Sequence, residues 1–249
     1  MPDRLDRALL ARGLAPSRER AQMLIHAGLV LVDGEAATKP SLAVDDDSRI
    51  EVTGEALAYV GRGGLKMEAA LRHFRVNVNG ARCLDVGAST GGFTDCLLQR
   101  GAANVVAIDV GHGQLHPSLA ADARVESHEG VNARNLEPGQ FGPPFDLVAI
   151  DVSFISLTLV LPAVAPLLRP GGYCIALVKP EFEAGREAVG ERGVVREEAD
   201  RRRARDRVTL CATRDLGWEK VGLLPSPVVT GGNREHLACF RKPQEVLPE

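Results

Sequence analysis

Four charged residues lie where apolar runs of the sequence end, and their types suit the handling of a proton. Asp151 follows the run FDLVAI, Lys179 follows YCIALV, and Glu235 lies just before HLACF. Lys66 lies in the first turn of a helix pattern in which Met67 begins the apolar face. Lysine, unlike arginine, can lose its proton when it is buried. Two lysines held by two carboxylates could therefore act on an exchangeable proton if the fold brings them together.

Lysine is scarce in this chain, which has 25 arginines and five lysines. Codon bias explains most of that ratio, and a lysine at a strand end usually contacts solvent. Lys179, however, follows an apolar run and precedes Pro180. If its strand is parallel to the strand before Asp151, both side chains point into one crevice at the carboxyl edge of the sheet. Glu235 and Lys66 can reach this crevice from two other sides.

A glycine-rich segment, LDVGASTGGFTD at residues 84–95, has the order strand, tight turn, helix. Such a turn lets backbone amides approach a ligand at the N-terminus of a helix. Ser89 replaces the second glycine of the dinucleotide fingerprint, so the segment is not that motif. Asp109 ends the next strand, 22 residues after Gly87, where a carboxylate can bind ribose hydroxyls. The turn together with Asp85 and Asp109 predicts a ligand site more strongly than a glycine turn alone.

Strand-like and helix-like runs alternate from residue 81 onwards. The strand-like runs are ARCLDV, NVVAIDV, ARVESH, DLVAID and YCIALVK, followed near the end of the chain by GWEKVGLLPS and HLACFRK. This alternation predicts an α/β fold with a doubly wound, parallel sheet. The glycines of GEALAYVGRGGLK indicate a flexible hinge before it. We therefore expect two domains, residues 1–60 with the linker and residues 61–249.

The first domain is predicted to be a small unit of two helices followed by a hairpin. Ser17 is a suitable N-cap for the second helix, and Asp33-Gly34 suits a tight turn between two strands. Charge is segregated, because the helices carry five arginines whereas residues 31–60 carry seven acids. A basic helical face could bind RNA or could simply be solvated. The five arginines are Arg4, Arg7, Arg12, Arg18 and Arg20.

Composition limits the possible functions. A net charge of −3 argues against a nucleic-acid partner when it is taken alone, although it averages over local patches. The five cysteines form no C-x-x-C pair, so we expect no metal site and no redox motif. The N-terminus has no apolar signal segment, and no run approaches 18 apolar residues. We therefore expect a cytoplasmic protein without a membrane partner.

The first domain resembles the S4 RNA-binding domain. The residues that carry the resemblance are a leading R-L-D, a basic second helix, the pattern I-x-x-G-x-V-x-V-x-G and a following K-P. The resemblance implies that the five arginines dock on structured RNA, mainly through phosphate contacts and shape.

The glycine turn and its strand-end acids resemble the cofactor site of class I methyltransferases. The resemblance implies S-adenosyl-L-methionine as the cofactor, with Asp85 near its amino group, Asp109 on its ribose and Asn132 near its adenine. Asn132 could equally be a polar turn residue. The turn that would line the methionine portion comprises Gly87, Ala88, Ser89, Thr90, Gly91, Gly92 and Phe93.

Lys66, Asp151, Lys179 and Glu235 match the Lys-Asp-Lys-Glu tetrad of FtsJ-like RNA 2′-O-methyltransferases. The resemblance implies that Lys179 deprotonates or orients a ribose hydroxyl while the carboxylates hold the ammonium groups. Nearly the whole chain resembles the TlyA family, through GRGGLKMEAAL, LDVGASTGGFTD, DVSFISL, LVKPEFE and GGNREHL. This implies a Rossmann-like methyltransferase with a mainly parallel seven-stranded sheet and an antiparallel last strand. It also implies an enzyme that methylates ribosomal RNA, with cytidine as the nucleotide and ribosomal RNA or subunits as the partner.

Other functions are less well supported by the sequence. Asp151-Val152-Ser153-Phe154 departs from the D/N-P-P-Y/F motif of base-amino methyltransferases, and no cysteine for cytosine C5 chemistry lies nearby. An S4-type ribosome-assembly factor without turnover stays open, as does a membrane-active haemolysin, a label that the family carries. Residues 186–214 hold nine arginines against six acids, so they could bind RNA backbone or form a solvated helix with internal ion pairs. The oligomeric state is not predicted.

Overall fold

The chain divides into two units, Met1–Arg62 and Gly63–Glu249. The computed structural model describes residues 3–26, 28–53, 59–229 and 232–244. The part of the expected hinge around Gly54 lies outside the described residues. Gly63 and Gly64, which we also assigned to the hinge, instead form the first turn of a helix.

The N-terminal unit contains the two helices and the hairpin that the sequence predicts. Its elements are β1 (Asp3–Arg4), α1 (Leu5–Ala11), α2 (Arg18–His26), β2 (Val30–Val32), β3 (Glu35–Ala36), β4 (Ala43–Val44) and β5 (Ile50–Val52). The Ser17 hydroxyl accepts a hydrogen bond from the Arg20 amide at 3.1 Å, which confirms the N-cap. Asp33 and Gly34 have φ values of 52° and 88°, as a type I′ turn between β2 and β3 requires. The strand pair of β1 with β4 was not predicted, because two-residue strands show no alternation.

This unit has a hydrophobic core of its own. Leu5 and Leu9 of α1 and Leu24 and Ile25 of α2 are fully buried and pack with Val30 of β2. The apolar residues recur at helical spacing in both helices, so one face of each helix closes over the strands.

The second unit alternates strands and helices as predicted. Its elements are α3 (Gly63–Phe74), β6 (Arg82–Val86), α4 (Gly92–Gln99), β7 (Asn104–Asp109), α5 (Pro117–Ala120), β8 (Val125–Glu129), β9 (Phe145–Ile150), α6 (Leu157–Val164), β10 (Leu168–Val178), α7 (Pro180–Glu183), α8 (Glu198–Leu210), β11 (Glu219–Pro225) and β12 (His236–Arg241). A π-helical turn at residues 211–215 continues α8. Short 3₁₀ turns occupy residues 133–135, 165–167, 186–188 and 191–193.

Seven of these strands form one sheet in the order β11-β12-β10-β9-β6-β7-β8. Strands β6 to β10 are parallel, and β12 runs antiparallel between β10 and β11. The expected fold class, including the antiparallel last strand, is confirmed. The chain proceeds outward from β6 to β8 and then returns to the other side of β6 at β9. In a doubly wound sheet this reversal opens a crevice at the carboxyl ends of the strands, where ligands bind.

The two glycines that begin α3 allow a close contact with α4. A Cβ atom on Gly92, the first residue of α4, would lie 3.0 Å from the Gly64 nitrogen and 3.1 Å from the Gly63 Cα atom. The two helices approach backbone to backbone here, and the absence of a side chain on Gly92 allows this contact. The sequence pattern that suggested flexibility at these positions reflects packing.

Candidate active site

The register of the sheet brings three of the four predicted catalytic residues to one edge. Val178 of β10 pairs with His236 of β12, so Lys179 and Glu235 are the next residues at the adjoining strand ends. Ile150 of β9 pairs with Ala176 of β10, which places Asp151 at the same end of the sheet. Lys66 comes from α3, which packs against β11 and β12.

The tetrad forms two ion pairs. Lys66 Nζ donates to Glu235 Oε2 at 2.6 Å, and both side chains are buried. Lys179 Nζ lies 2.6 Å from Asp151 Oδ1, and it donates to the Ser153 hydroxyl at 2.9 Å. The contact with Asp151 is an ion pair that does not have hydrogen-bond geometry, so Asp151 Oδ1 keeps unused acceptor capacity. The first pair is sealed from solvent, whereas the Lys179 and Asp151 side chains are 12% and 22% exposed.

A cavity of about 520 Å³ opens beside Asp151 at the predicted crevice. Gly87 and Ser89 of the glycine turn lie at one part of its wall, and Asp109 and Asn132 lie at another. The remaining lining residues are Val86, Ile108, Val110, Gln114, Val131, Ala133, Arg134, Val152, Ser153, Phe154 and Ile155. Its size and its mixed apolar and polar lining are typical of a cofactor site.

Several features of this cavity fit S-adenosyl-L-methionine. Gly87 has a φ of 84°, and a Cβ atom there would lie 2.5 Å from the Asp151 carbonyl oxygen, so only glycine fits where β6 meets β9. Asp109 accepts hydrogen bonds from the Ser89 amide at 2.8 Å and the Gly111 amide at 2.7 Å. Those bonds fix its carboxylate at the strand end and leave lone pairs for two ribose hydroxyls. Val110, which is 70% exposed, offers an apolar surface for an adenine ring.

The other predicted cofactor residues have different positions. Asn132 lines the cavity, and its side chain also accepts a hydrogen bond from the Arg134 amide, so it is at once a turn cap and a wall residue. Asp85 is fully buried behind the turn, where its Oδ2 atom accepts from the amide and hydroxyl of Thr94. Burial raises the pKa of Asp85 to about 7, and the nearby Asp151 charge adds to this effect. Five other predicted residues do not line the cavity: Ala88, Thr90 and Gly91 lie in the turn, and Gly92 and Phe93 begin α4.

Phe154, the last residue of the Asp151-Val152-Ser153-Phe154 motif, has an unexpected backbone conformation. Its side chain is 92% exposed at the cavity, and its φ is 64°, in the left-handed region that bulky residues avoid. Its ring lies 5.3 Å from the ring of Phe182. Strain of this kind occurs mostly at functional sites. No periodicity or motif in the sequence indicates it.

Sequence reasoning also missed Glu181 and Asn233. Burial raises the pKa of Glu181, with the Glu235 charge adding to it and Lys179 opposing it. Its Oε2 atom is buried and has no hydrogen-bond partner. Asn233, which is 4% exposed, accepts from the Val195 amide at 3.0 Å and donates to the Gly193 carbonyl at 2.9 Å. It thereby ties the loop that carries Glu235 to the segment before α8.

The arginines predicted to bind RNA in the N-terminal unit also have contacts within it. Arg4 and Arg18 form ion pairs with the buried Asp6, at 3.0 and 2.9 Å, but both side chains are more than 40% exposed. Arg12 donates to the carbonyls of Ser48, Asp45 and Asp46, and Arg20 donates to that of Tyr59. Arg7 is exposed, and its side chain makes no hydrogen bond or ion pair with the described residues.

Within the described ranges, no cluster of three or more His, Cys, Asp or Glu side chains could hold a metal ion. No helix in this part of the chain is long and apolar enough to cross a membrane. All five cysteines are buried, and burial raises the thiol pKa of Cys83 and Cys239 to about 12.

Comparison with protein families agrees with this geometry. A model described as FtsJ-like methyltransferase matches residues 59–242, and a model described as S4 domain matches residues 3–50. The chain therefore has the fold of a class I methyltransferase and carries an S4 domain.

Individual relatives identify the family within this class of methyltransferases. The chain is 48% identical over 242 residues to the 16S/23S rRNA (cytidine-2'-O)-methyltransferase TlyA of Mycobacterium tuberculosis, covering 96% of this chain and 89% of that one. It is 39% identical over 239 residues to Hemolysin A of Brachyspira hyodysenteriae, covering 95% and 99%. A solved structure, "Putative hemolysin from Streptococcus thermophilus", has a TM-score of 0.75 at 44% identity and covers 98% of this chain and 90% of its own. The chain belongs to the TlyA family of FtsJ-like methyltransferases.

Proposed function

We propose that this protein transfers a methyl group from S-adenosyl-L-methionine to a ribose 2′-hydroxyl of ribosomal RNA, at a cytidine. The observation that carries the proposal is the Lys179–Asp151 ion pair, which lies at the mouth of the cofactor-sized cavity and keeps partial access to solvent. The relative in M. tuberculosis, which is named for this reaction, supports the choice of ribosomal RNA and of cytidine.

The residues of this chain supply alignment and proton handling. A ribose hydroxyl is a poor nucleophile at neutral pH, so a lysine that takes or orients its proton increases its reactivity. Asp151 and Ser153, which both line the cavity, contact the Lys179 amino group and so hold it next to the cavity. The cofactor, when bound, supplies a methyl group already activated by a sulfonium. Holding the hydroxyl in line with that methyl group is then the main catalytic task.

The buried Lys66–Glu235 pair has a supporting role in this proposal. Glu235 precedes β12, and its carbonyl accepts a hydrogen bond from the Ser226 amide at 2.9 Å, so two contacts fix the loop at the mouth. Both side chains of this pair are buried, so moving either one away would leave a buried charge without its partner. The pair therefore holds its two side chains in one geometry. We infer that this pair holds the start of β12 in place beside Lys179.

The N-terminal unit is proposed to bring the RNA to the enzyme. Arg4, Arg7 and Arg18 keep exposed guanidinium surface on its helices, and phosphate contacts of this kind position an RNA without reading its sequence. Because the chain has a net charge of −3, attraction is expected from this local patch and not from the protein as a whole.

Methyl transfer to purified ribosomal subunits tests the proposal. Subunits from a strain that lacks the gene would be incubated with the protein and radiolabelled cofactor, and the 2′-O-methylated nucleotide would then be mapped. We expect label at a cytidine of ribosomal RNA. Binding of subunits and of cofactor without any label would favour an assembly factor without turnover. Label on a base atom would contradict the proposed chemistry.

A further inference from the structure

A second cavity, of about 470 Å³, lies next to the catalytic cleft. Ser156, which lines it, follows the cleft-lining run 151–155 directly in the chain. Phe182, also in its wall, has its ring 5.3 Å from the ring of Phe154 at the cleft. Glu181 also lines the cavity, and the charges of Lys179 and Glu235 are close enough to affect its pKa. The cavity is therefore adjacent to the proposed methyl-transfer point.

Two arginines that line this cavity, Arg186 and Arg207, have N–H donors that make no hydrogen bond with a described residue. Arg186 is exposed, and its side chain has no hydrogen bond or ion pair with any described residue. Arg207 of α8 makes one hydrogen bond of 3.2 Å to the Glu183 carbonyl and no ion pair within the described ranges. An arginine has five N–H donors, so both residues can still bind an anion.

Several neighbouring arginines, in contrast, form ion pairs in the described structure. Arg201 and Arg205 pair with Glu198, Arg203 pairs with Asp200, and Arg214 pairs with Asp215. Arg203, Arg207 and Arg214 line the next cavity along α8. Among the described residues, Arg203 and Arg214 form ion pairs, whereas Arg207 forms none, although its charge opposes the rise that burial causes in the pKa of Glu183. Of the arginines that line these two cavities, Arg186 and Arg207 are therefore the two that form no ion pair with a described residue.

One acidic group in the wall could oppose an anion there. Glu181 is half-buried, and burial raises the pKa of its carboxyl, with the adjacent Glu235 charge adding to the shift. Both effects reduce its negative charge at a given pH. Its unpartnered oxygen is covered, so the carboxyl does not present that atom to the open part of the cavity.

We propose that this cavity binds the RNA phosphate next to the methylated ribose, through Arg186 and Arg207. The inference rests on the proposed function, and the chemistry of RNA makes it specific. The 2′-hydroxyl and the 3′-phosphate occupy neighbouring carbons of one ribose, so a protein that holds the hydroxyl at Lys179 must accommodate that phosphate close by. A cavity with two unpaired guanidinium groups meets this need, and Phe182 supplies an apolar wall for the sugar.

Matched arginine variants test the proposal. Arg192 lies in the same segment as Arg186, and Arg202 lies on α8 near Arg207; both are exposed and neither lines the cavity. Arg186→Ala and Arg207→Ala would be compared with Arg192→Ala and Arg202→Ala, since all four remove one positive charge. The readouts are KM and kcat with unmodified ribosomal subunits, and subunit binding as a function of salt in the presence of the demethylated cofactor.

The two cavity variants should each raise KM by about fivefold or more with kcat within about twofold, and lower the salt slope by about one. The two control variants should change KM by less than about twofold. Equal effects in all four would mean diffuse attraction and would overturn the subsite, as would no effect in the cavity variants.

Arg207→Gln guards against a folding defect, because it can keep the bond to the Glu183 carbonyl while removing the charge. It should reproduce the KM increase with unchanged cofactor affinity, and a wild-type KM would overturn the role of Arg207. If the wild-type protein methylates no RNA, the proposed function itself falls and the subsite falls with it. If the wild type is active and the cavity variants match it, only the subsite is wrong.

Discussion

Asp6 in the N-terminal unit and Asp85 in the methyltransferase unit are both fully buried, but their carboxylates are held in opposite ways. Asp6 accepts hydrogen bonds from Arg4, Arg18 and Gln22 at 2.8 to 3.1 Å. The Arg4 guanidinium does most to hold the pKa of Asp6 well below its ordinary value, with Gln22 and Arg18 adding to the effect. Asp85 has donors only at Oδ2, and burial raises its pKa to about 7.

The difference separates charges that stabilise a fold from charges that are available to a ligand. Buried polar atoms in native proteins nearly always have partners, so an exception calls for an explanation. Among the described residues, buried side-chain oxygens without a hydrogen bond occur on Asp85, Asp151, Glu181 and Thr209, and the Asp151 oxygen is the one that forms an ion pair with Lys179. The first three lie at or behind the catalytic cleft, where a cationic cofactor and a hydroxyl nucleophile could supply what is missing.

Removal of the Lys179 amino group should have the largest effect and should fall on activity alone. Lys179→Ala takes away the proposed base or orienting group, which typically contributes about 10² to 10⁴ in rate. We expect methylation of ribosomal subunits to fall by that factor while cofactor affinity stays within about threefold. Lys220→Ala, which removes an exposed lysine from β11, is the control and should retain activity. Full activity in Lys179→Ala would contradict the assigned role.

Asp85→Asn tests whether the buried Asp85 carboxyl is protonated in the folded protein, through the pH dependence of stability. An unfolded Asp loses its proton near 3.8, whereas folded Asp85 keeps it until about 7, so the native state binds the extra proton between these values. Rising pH therefore destabilises the wild type across this window, by on the order of 2–4 kcal/mol, and has no further effect above it.

The variant cannot titrate at this position. We expect the difference in unfolding free energy between wild type and Asp85→Asn to fall from about pH 4 to about pH 7 and then stay level, as measured by urea unfolding at a series of pH values. Parallel pH profiles for the two proteins would mean that Asp85 is ionised in the folded state and that its open oxygen has a partner.

Asp6→Asn tests how much the fully hydrogen-bonded Asp6 carboxylate contributes to the stability of the N-terminal unit. The substitution keeps the shape of the side chain but removes the charge that Arg4 and Arg18 share, which should cost about 1–3 kcal/mol, since both arginines are partly exposed and can return to water. Hydrogen exchange in α1 and α2 should accelerate accordingly, with cofactor affinity unchanged. Asp47→Asn, at an exposed position of the same unit, is the control. Unchanged exchange in Asp6→Asn would show that the network adds nothing.

The sequence predicted secondary structure, caps and turns better than the contacts between elements that are distant in the chain. The strands of the sheet, the N-cap at Ser17 and the Asp33-Gly34 turn follow from patterns spaced two to four residues apart, and the structure has all of them. The family motifs placed Asp151 and Lys179 at one edge, and their register in the sheet agrees. Local patterns cannot give the closeness of Gly64 to Gly92, which depends on how two helices pack.

The same limit applies within the candidate site. Glu181 and Asn233 gain their surroundings from loops that are distant in sequence, so neither has a local signature. The predicted role of Asp85 came from a motif, but whether its oxygen has a partner depends on the fold around it. What a sequence conveys is residue type and spacing; what it omits is the number of donors that each buried oxygen meets.

Phe154 extends the comparison from charge to backbone strain and should give the smallest effect. Asp33 and Phe154 both have positive φ, but aspartate tolerates that region in a turn, whereas a phenylalanine rarely adopts it, and the Phe154 ring has only a contact with Phe182 to offset the strain. If the ring stacks on RNA, Phe154→Ala should lower kcat/KM with ribosomal subunits by about tenfold and Phe154→Trp should restore it. Phe154→Gly should lower activity equally but raise the Tm slightly, because glycine relieves the strain. Wild-type activity in Phe154→Ala would reduce the ring to a packing partner of Phe182.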